Sequence, residues 1–367
     1  MMARSAAGRR LDWVRQNLFR SPVDSALSLT VIAVGLWLVA LFIQWAVLHA
    51  VWNASSFDEC REIIAAAHGE HARGACWAVL KGRLGPFIYG FYPEELSWRP
   101  ATAMGLLVVV MLPLLIRALP RWMLWAWAAY PFVAFELVFG GAILEPVESN
   151  RFGGLVLVLT VSVGGIPLAI AGGVVLALGR TYLFLPLRVV FAAFLAVFRG
   201  VPLLVLLLAA AVLLSYMLPP GIHFDIILRM VLIAGLHASV TIADAIRSAL
   251  VSLPAGQWDA ARALGFGRLK AFLLVILPQV LSAAAPTILH SSAGLVRDTT
   301  LVLVIGLFDP IMLANTVRAN ADWNGIWLEL YLVVGGSYGL LSFLLTRAAV
   351  RAERRLLARG LQPPVLH

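Results

Sequence analysis

The sequence predicts an all-α fold, a polytopic membrane helix bundle of about eight transmembrane helices. Of its 367 residues, 61% are apolar and only 13% are charged, whereas water-soluble domains have about 45–50% apolar and about 25% charged residues. Apolar runs long enough to cross about 30 Å of hydrocarbon recur along the chain. The eight predicted spans are residues 26–51, 101–117, 122–140, 155–178, 189–218, 226–247, 280–307 and 326–346.

The net charge of +9 comes from 28 Lys and Arg against 19 Asp and Glu. In a soluble protein this excess would suggest a nucleic-acid partner, but in a membrane protein basic residues concentrate in cytoplasmic loops. If the spans alternate sides from an inner N-terminus, most basic residues fall in inner segments. We therefore expect both termini in the cytoplasm, a multi-pass location in the inner membrane and no nucleic-acid partner. The first run is long for a signal peptide and lacks a small-residue cleavage pattern, so we expect it to remain as a span.

A polar loop at residues 52–100 follows the first span and holds both cysteines, Cys60 and Cys76. On the predicted topology it faces an oxidising compartment, where a disulfide is stable. A bond between them would close a loop of about 15 residues and add about 3 kcal/mol of stability. Two unpaired thiols are the alternative.

The two halves of the chain differ in character. The first three spans are rich in Leu, Ala and Trp, whereas from Gly153 onward Gly, Pro and polar residues enter the spans. This pattern is typical of broken or closely packed membrane helices around a polar path.

The segment between the sixth and seventh spans carries the strongest local pattern. Pro254 and Gly256 favour the start of a short amphipathic helix, and Gly265 can supply the positive-φ turn that ends it. Ala260 and Ala261 would give this helix a face with little side-chain bulk. A cytoplasmic helix with a small apolar face is a candidate for docking in a partner's groove.

The spacing in this segment resembles the EAA loop of ABC importer permeases, which has an acid, two alanines, a glycine and a final Leu-Pro at fixed distances. The matching residues are Asp259, Ala260, Ala261, Gly265, Val275, Leu277 and Pro278. Asp and Val stand where the family has Glu and Ile. The family's carboxylate contacts the ATPase subunit, so the resemblance implies that this segment couples the chain to an ATPase.

Further stretches are similar to the polar amino acid branch of the family. These are the stretch from Arg199 to Leu203, the stretch from Arg297 to Leu301 followed by residues 305–309, and the outer-loop stretches 74–77 and 87–93. The front end resembles the M-type permease of general L-amino acid transporters.

The resemblance implies a division of the chain into four parts. It implies a cytoplasmic segment at 1–25, three accessory helices within 26–152, a type I ABC importer core at 153–347 with its coupling loop at 248–279, and a cytoplasmic tail at 348–367.

The resemblance also implies partners. These are an ATPase dimer that binds ATP and Mg²⁺, a second related permease in a heterodimer, and a periplasmic amino acid binding protein. No cofactor or metal is expected on this chain.

Polar residues at membrane depth are candidates for the substrate path, because a charge in the bilayer is costly unless it faces a cavity or a partner. His237, Thr241 and Asp244 share one helix face by spacing, as do Ser291 and Asp298. The candidates are Arg199, His237, Thr241, Asp244, Ser291, Arg297, Asp298 and Thr299.

A zwitterionic amino acid needs an anion for its ammonium and a cation for its carboxylate. Asp244 or Asp298 could be the anion, and Arg199 or Arg297 the cation. The alternative is structural: Asp244 would pair with Arg247, and Arg297 with Asp298. For Arg199, beside a proline-disturbed backbone, a gating or packing role is the alternative.

The chain lacks a GxxxxGK[ST] phosphate loop, a nucleophile elbow and an HExxH motif. We therefore expect a permease rather than an enzyme, with ATP hydrolysed by the partner. Two rival functions remain: a proton-coupled secondary amino acid carrier that uses Asp244 or Asp298 with His237, and a non-transporting membrane scaffold.

Overall fold

The structure is a computed structural model that describes residues 14, 16–115, 125–217, 219 and 224–358. Its contacts divide the chain into two compact units. Unit 1 comprises Met1–Gly82 with Arg318–Glu329, and unit 2 comprises Arg83–Val317 with Leu330–His367. Within the described ranges the regular structure is helical, with two isolated β-bridges.

Unit 1 contains one long membrane helix and a small folded loop. Helix α1, Pro22–Ile43, continues into the π-helical turn Gln44–Leu48, and helix α2 is Phe57–His68. Ser21 caps α1, since its Oγ accepts a hydrogen bond from the Asp24 amide at 3.0 Å. None of the side chains of α1 is buried, which is the expected state of an apolar helix surrounded by lipid.

Unit 2 contains the remaining helices, apart from residues 318, 328 and 329, which belong to unit 1. They are α3 Leu84–Tyr89, α4 Trp98–Leu115, α5 Trp125–Phe139, α6 Gly154–Tyr182, α7 Leu185–Gly200, α8 Leu203–Met217, α9 Ile226–Ser252, α10 Gly256–Ala263, α11 Arg268–Ala271, α12 Leu277–Asp298, α13 Pro310–Arg318 and α14 Leu328–Ala358. A π-helical turn, Phe272–Ile276, joins α11 to α12, and a 3₁₀ turn, Thr299–Ile305, extends α12.

Each predicted span overlaps an apolar helix, and the fifth overlaps two; residues 116–117, at the end of the second span, lie outside the described residues. Among the described residues, six helices are long and apolar enough to cross a membrane, and the bent pair α7 and α8 makes a seventh if it is one span. The third predicted span corresponds to the 15-residue helix α5, and its first residues, 122–124, lie outside the described residues.

Of the fifth predicted span, 189–218, the described residues 189–217 form two helices, α7 and α8. The chain bends by 103° between α7 and α8. Pro202 has no amide hydrogen to continue the helix, and the residue before a proline is driven out of the helical region. Val201 accordingly has φ −98° and ψ 126°.

The core of unit 2 lies where α6 packs on α9. A Cβ added at Gly173 would stand 2.5 Å from Cγ2 of Ile242, and one at Gly235 would stand 3.1 Å from the carbonyl oxygen of Gly165. The two helices therefore approach so closely that a side chain at either glycine would force neighbouring atoms to shift. Such close approach is how membrane helices gain van der Waals contact without a hydrophobic driving force. The predicted close packing of the second half is confirmed at these glycines.

Candidate functional site

The segment that resembles the EAA loop forms the predicted short helix, α10, with a glycine stop. Gly265 has φ +79°. The Phe266 amide donates to the Ala261 carbonyl at 3.1 Å, and the Gly265 amide donates to the Arg262 carbonyl at 2.9 Å. This is a Schellman end, which needs a residue at positive φ and therefore favours glycine.

The two alanines of α10 differ in exposure. Ala261 is 1% exposed and packs inward, whereas Ala260 is exposed. The two-alanine docking face expected from the sequence is therefore reduced to Ala260, with the neighbouring Leu264 75% exposed. Asp259 also points outward and forms an ion pair with Arg262 one turn on.

Helix α10 is held to the membrane helix that follows it. The Trp258 ring stacks on Phe272 with centroids 6.5 Å apart, and Gln279 donates to the Gln257 side chain at 3.1 Å. The chain stays helical from α11 into α12, and the π-helical turn directly precedes Leu277 and Pro278. Side-chain contacts and continuous helix thus connect α10 to α12.

A cluster of three charges joins α6, α7 and α9. Asp244 on α9 accepts a hydrogen bond from Arg199, at the end of α7, and lies 3.7 Å from Arg180, near the end of α6. The structure therefore brings together two of the sequence-predicted path residues. The cationic partners of Asp244 are on neighbouring helices, in place of Arg247.

In the sequence, Arg180 is only one of the basic residues whose distribution indicates orientation in the membrane. The available signal was its place in the last turn of a glycine-rich helix. This place puts it near the membrane surface but does not say which acid it contacts.

The other path candidates lie along α9 and α12. His237, half-buried on α9, faces Asp298 on α12 closely enough for electrostatic interaction. Thr241, Arg297 and Asp298 are exposed, and Ser291 is half-buried.

Thr299 differs from the other path candidates. It is 2% exposed, and its hydroxyl donates to the Val296 carbonyl at 2.7 Å. Its side chain therefore does not join this exposed polar surface.

A buried carboxylate follows α12. Gly306 has φ +84° and ends the 3₁₀ turn, and Asp309 is fully buried. Its Oδ1 accepts from the Met312 amide at 2.8 Å and its Oδ2 accepts from the Tyr338 hydroxyl at 3.4 Å. Burial raises the pKa of Asp309, and the Met312 bond identifies its role as the cap of α13.

The outer loop is tied together within unit 1. Cys60 and Cys76 form a disulfide with a Cα–Cα distance of 5.9 Å, and both are fully buried. The Cys76 amide donates to Oε1 of Glu329 at 2.9 Å, an acid that sequence reasoning did not select.

Comparison with known proteins gives a consistent family. The family profile "Binding-protein-dependent transport system inner membrane component" matches residues 165–358. The chain is 36% identical to the glutamate/glutamine/aspartate/asparagine transport system permease protein BztC of Rhodobacter capsulatus, over 94% of this chain and 93% of the relative. It is 33% identical to the inner membrane amino-acid ABC transporter permease protein YhdY of Escherichia coli, over 95% of this chain and 94% of the relative.

Shorter relatives match the second half. The glutamate/aspartate import permease protein GltK of Escherichia coli is 30% identical over 55% of this chain and 91% of its own length. A crystal structure of an amino acid ABC transporter with histidines covers 55% of this chain and 91% of its own, at 24% identity and a TM-score of 0.48.

The family profile and the full-length relatives favour an importer permease over the proton-coupled carrier that the sequence left open. This assignment rests on a profile that covers more than half of the chain and on a relative that is 36% identical along nearly its whole length. The chain belongs to the family of binding-protein-dependent transport system inner membrane components, the permease subunits of ABC importers.

Proposed function

We propose that this chain is the permease subunit of an ATP-driven importer that moves L-amino acids across the bacterial inner membrane. The observation that carries the proposal is α10, an exposed helix with a glycine stop that is packed against α12. The substrate class follows from the relatives, whose names specify amino acid transport. Both termini lie in the cytoplasm, which the distribution of basic residues supports.

The partners are an ATPase dimer, a periplasmic amino acid binding protein and a second, related permease that completes the pathway as a heterodimer. ATP and Mg²⁺ bind to the ATPase, and this chain binds no cofactor. When the ATPase closes on ATP, it moves α10, and the Trp258–Phe272 stack and the Gln257–Gln279 bond transmit the displacement to α12. Rigid-body movement of α12 then changes access to the path.

The path follows the polar surface of α9 and α12. Asp244 neutralises only one of its two arginine partners, so the cluster of Arg180, Arg199 and Asp244 keeps one net positive charge. This charge suits the carboxylate of an amino acid, while Asp298 beside His237 suits the ammonium. The same cluster also holds α6, α7 and α9 in their relative positions. Because Arg199 directly precedes the bend between α7 and α8, this contact gives Arg199 a gating role.

The coupling role is tested at Gly265. Gly265→Leu forces an unfavourable positive φ, although no atom lies within 4 Å of its Cβ position. We expect the protein to insert normally, ATPase copurification to fall more than tenfold and uptake of labelled amino acid to stop. Gly267→Leu is the matched control, because its Cβ position is equally open and its φ is −64°. Normal uptake by Gly265→Leu would refute the role of α10 in docking.

A further inference from the structure

An apolar groove at one end of α6 is not used by the proposed transport mechanism. Its volume is about 350 Å³, within the range of roughly 300–1,000 Å³ typical of small-molecule sites. The lining includes Val175, Leu178 and Tyr182 from α6, Phe191 from α7 and Phe272 from the π-helical turn. Its lining is thus almost wholly apolar, with Tyr182 at its edge.

The groove requires glycine where α6 meets α7. A Cβ at Gly179 would stand 2.7 Å from the Phe191 ring, so the two helices are in close contact beside the groove. The groove is open, since Val175 is 57% exposed and Tyr182 is 51% exposed. Phe184, beside it, is 63% exposed, so the groove continues into a surface suited to hydrocarbon.

Three cations lie close in the chain to residues that line this groove. Arg188 donates through Nε to the carbonyl of the lining residue Leu183, and Arg268 and Lys270 precede Phe272 by four and two residues. All three side chains are exposed. Across the part of the chain that the structure describes, the ion pairs of Asp244 and Asp259 are with other arginines, and no carboxylate pairs with these three.

An apolar groove with exposed cations near its lining in the chain, none of them in an ion pair with a described carboxylate, fits a molecule with a hydrocarbon chain and an anionic head. We propose that this groove binds one anionic glycerophospholipid of the cytoplasmic leaflet, with an acyl chain along Val175 and Phe272 and its phosphate near Arg188, Arg268 and Lys270. Basic pockets between membrane helices on the cytoplasmic side attract anionic head groups. The assignment to this leaflet rests on the proposed orientation.

The position of the groove links the lipid to α10. Phe272 forms part of the groove wall, and its ring also stacks on Trp258 of α10 and meets Tyr182 edge-on at 6.3 Å. A bound acyl chain therefore supports the side chain on which α10 rests.

The experiment is native mass spectrometry of the purified full-length chain, titrated with dioleoyl phosphatidylglycerol or dioleoyl phosphatidylcholine. We expect one tightly bound phosphatidylglycerol, with apparent affinity about tenfold above that of phosphatidylcholine. Val175→Trp, which fills the groove from an exposed position, should lower retention of phosphatidylglycerol at least tenfold. Val205→Trp is the matched control, because Val205 is 50% exposed on α8 and does not line the groove.

A second variant acts only on the surface charges. The triple substitution Arg188→Gln, Arg268→Gln and Lys270→Gln should reduce the preference for phosphatidylglycerol to about onefold. If Val175→Trp fails to fold, this variant decides the question alone. Two results would overturn the proposal: equal binding of both lipids by the wild type, or an unchanged preference in the triple variant. The groove would then be assigned as a contact surface for the ATPase or a second permease.

The assay contains no ATPase, binding protein or substrate, so its result is independent of transport. A chain that transports amino acids but shows no lipid preference would refute only the lipid site. A chain that binds the lipid selectively but fails to transport would refute only the proposed function.

Discussion

Helices α1 and α6 are both apolar and both long enough to cross a membrane, yet their surroundings are opposite. No side chain of α1 is buried, whereas half of the apolar window of α6 is buried inside the protein. The glycines show the difference: nothing lies within 4 Å of a Cβ added at Gly35 in α1, while one at Gly173 in α6 would overlap Ile242. Hydropathy identifies a membrane helix, but close approach at glycine identifies the helix around which a membrane protein packs.

The two units are also stabilised by different interactions. Unit 1 has a disulfide, a capped helix and a hydrogen bond from the Cys76 amide to Glu329. Unit 2 has glycine-mediated helix contact and an ion-pair cluster between helices. Substitutions that remove one kind of interaction should therefore affect one unit and leave the other unchanged.

The largest expected effect is at Gly173. Gly173→Leu places a side chain where even Cβ would stand 2.5 Å from Ile242, and such overpacking should lower the free energy of unfolding by roughly 3 kcal/mol or more. Gly35→Leu, the control in α1, should change it by less than about 0.5 kcal/mol. Unfolding in mixed micelles with increasing denaturing detergent measures both. Equal losses for the two variants would show that α6 is not the packing centre.

Removal of the disulfide should affect unit 1 alone. The double variant Cys60→Ala with Cys76→Ala frees a loop of about 15 residues and should cost about 2 to 3 kcal/mol of local stability. Hydrogen exchange should then be faster in α2 by roughly one hundredfold, with α6 and α9 unchanged. Slow exchange retained in α2 would mean that hydrogen bonds and packing alone maintain this loop.

The ion-pair cluster of unit 2 should show a smaller energy. Asp244→Asn leaves Arg180 and Arg199 facing each other, and a double-mutant cycle with Arg199→Gln should give an interaction energy of about 1 kcal/mol, since all three side chains are partly exposed. The Asp259–Arg262 pair is the matched control, because both its side chains are 66% exposed. Its cycle should give close to zero, and a value equal to that of Asp244 would contradict a structural role for the cluster.

The sequence predicted local features well and long-range ones poorly. Helix α10 and its stop at Gly265 follow from local backbone chemistry, and the disturbance at Pro202 was visible too. The size of the 103° bend depends on tertiary packing, which no local pattern encodes. The inward face of Ala261 and the approach of Arg180 to Asp244 depend on residues distant in sequence, so a single sequence could name the charged groups but could not pair them.

The smallest effect concerns the start of α2 in unit 1 and depends on pH. Ser56 Oγ accepts from the Glu59 amide at 3.1 Å, while the Glu59 carboxylate accepts from the Ser55 hydroxyl at 2.5 Å and the Ser55 amide at 2.6 Å. These bonds hold the pKa of Glu59 below its ordinary value of 4.5, the hydroxyl bond most strongly.

Because the folded pKa of Glu59 is lowered, its contribution to stability is complete above pH 4.5 and is lost as the pH falls through the folded pKa. Glu59→Gln should therefore make hydrogen exchange in α2 faster at pH 7, with a difference from wild type that shrinks below pH 4.5. Glu62→Gln is the control for the loss of a carboxylate elsewhere on the same helix. A difference for Glu59→Gln that persists undiminished at low pH would assign the effect to helix packing rather than to the carboxylate.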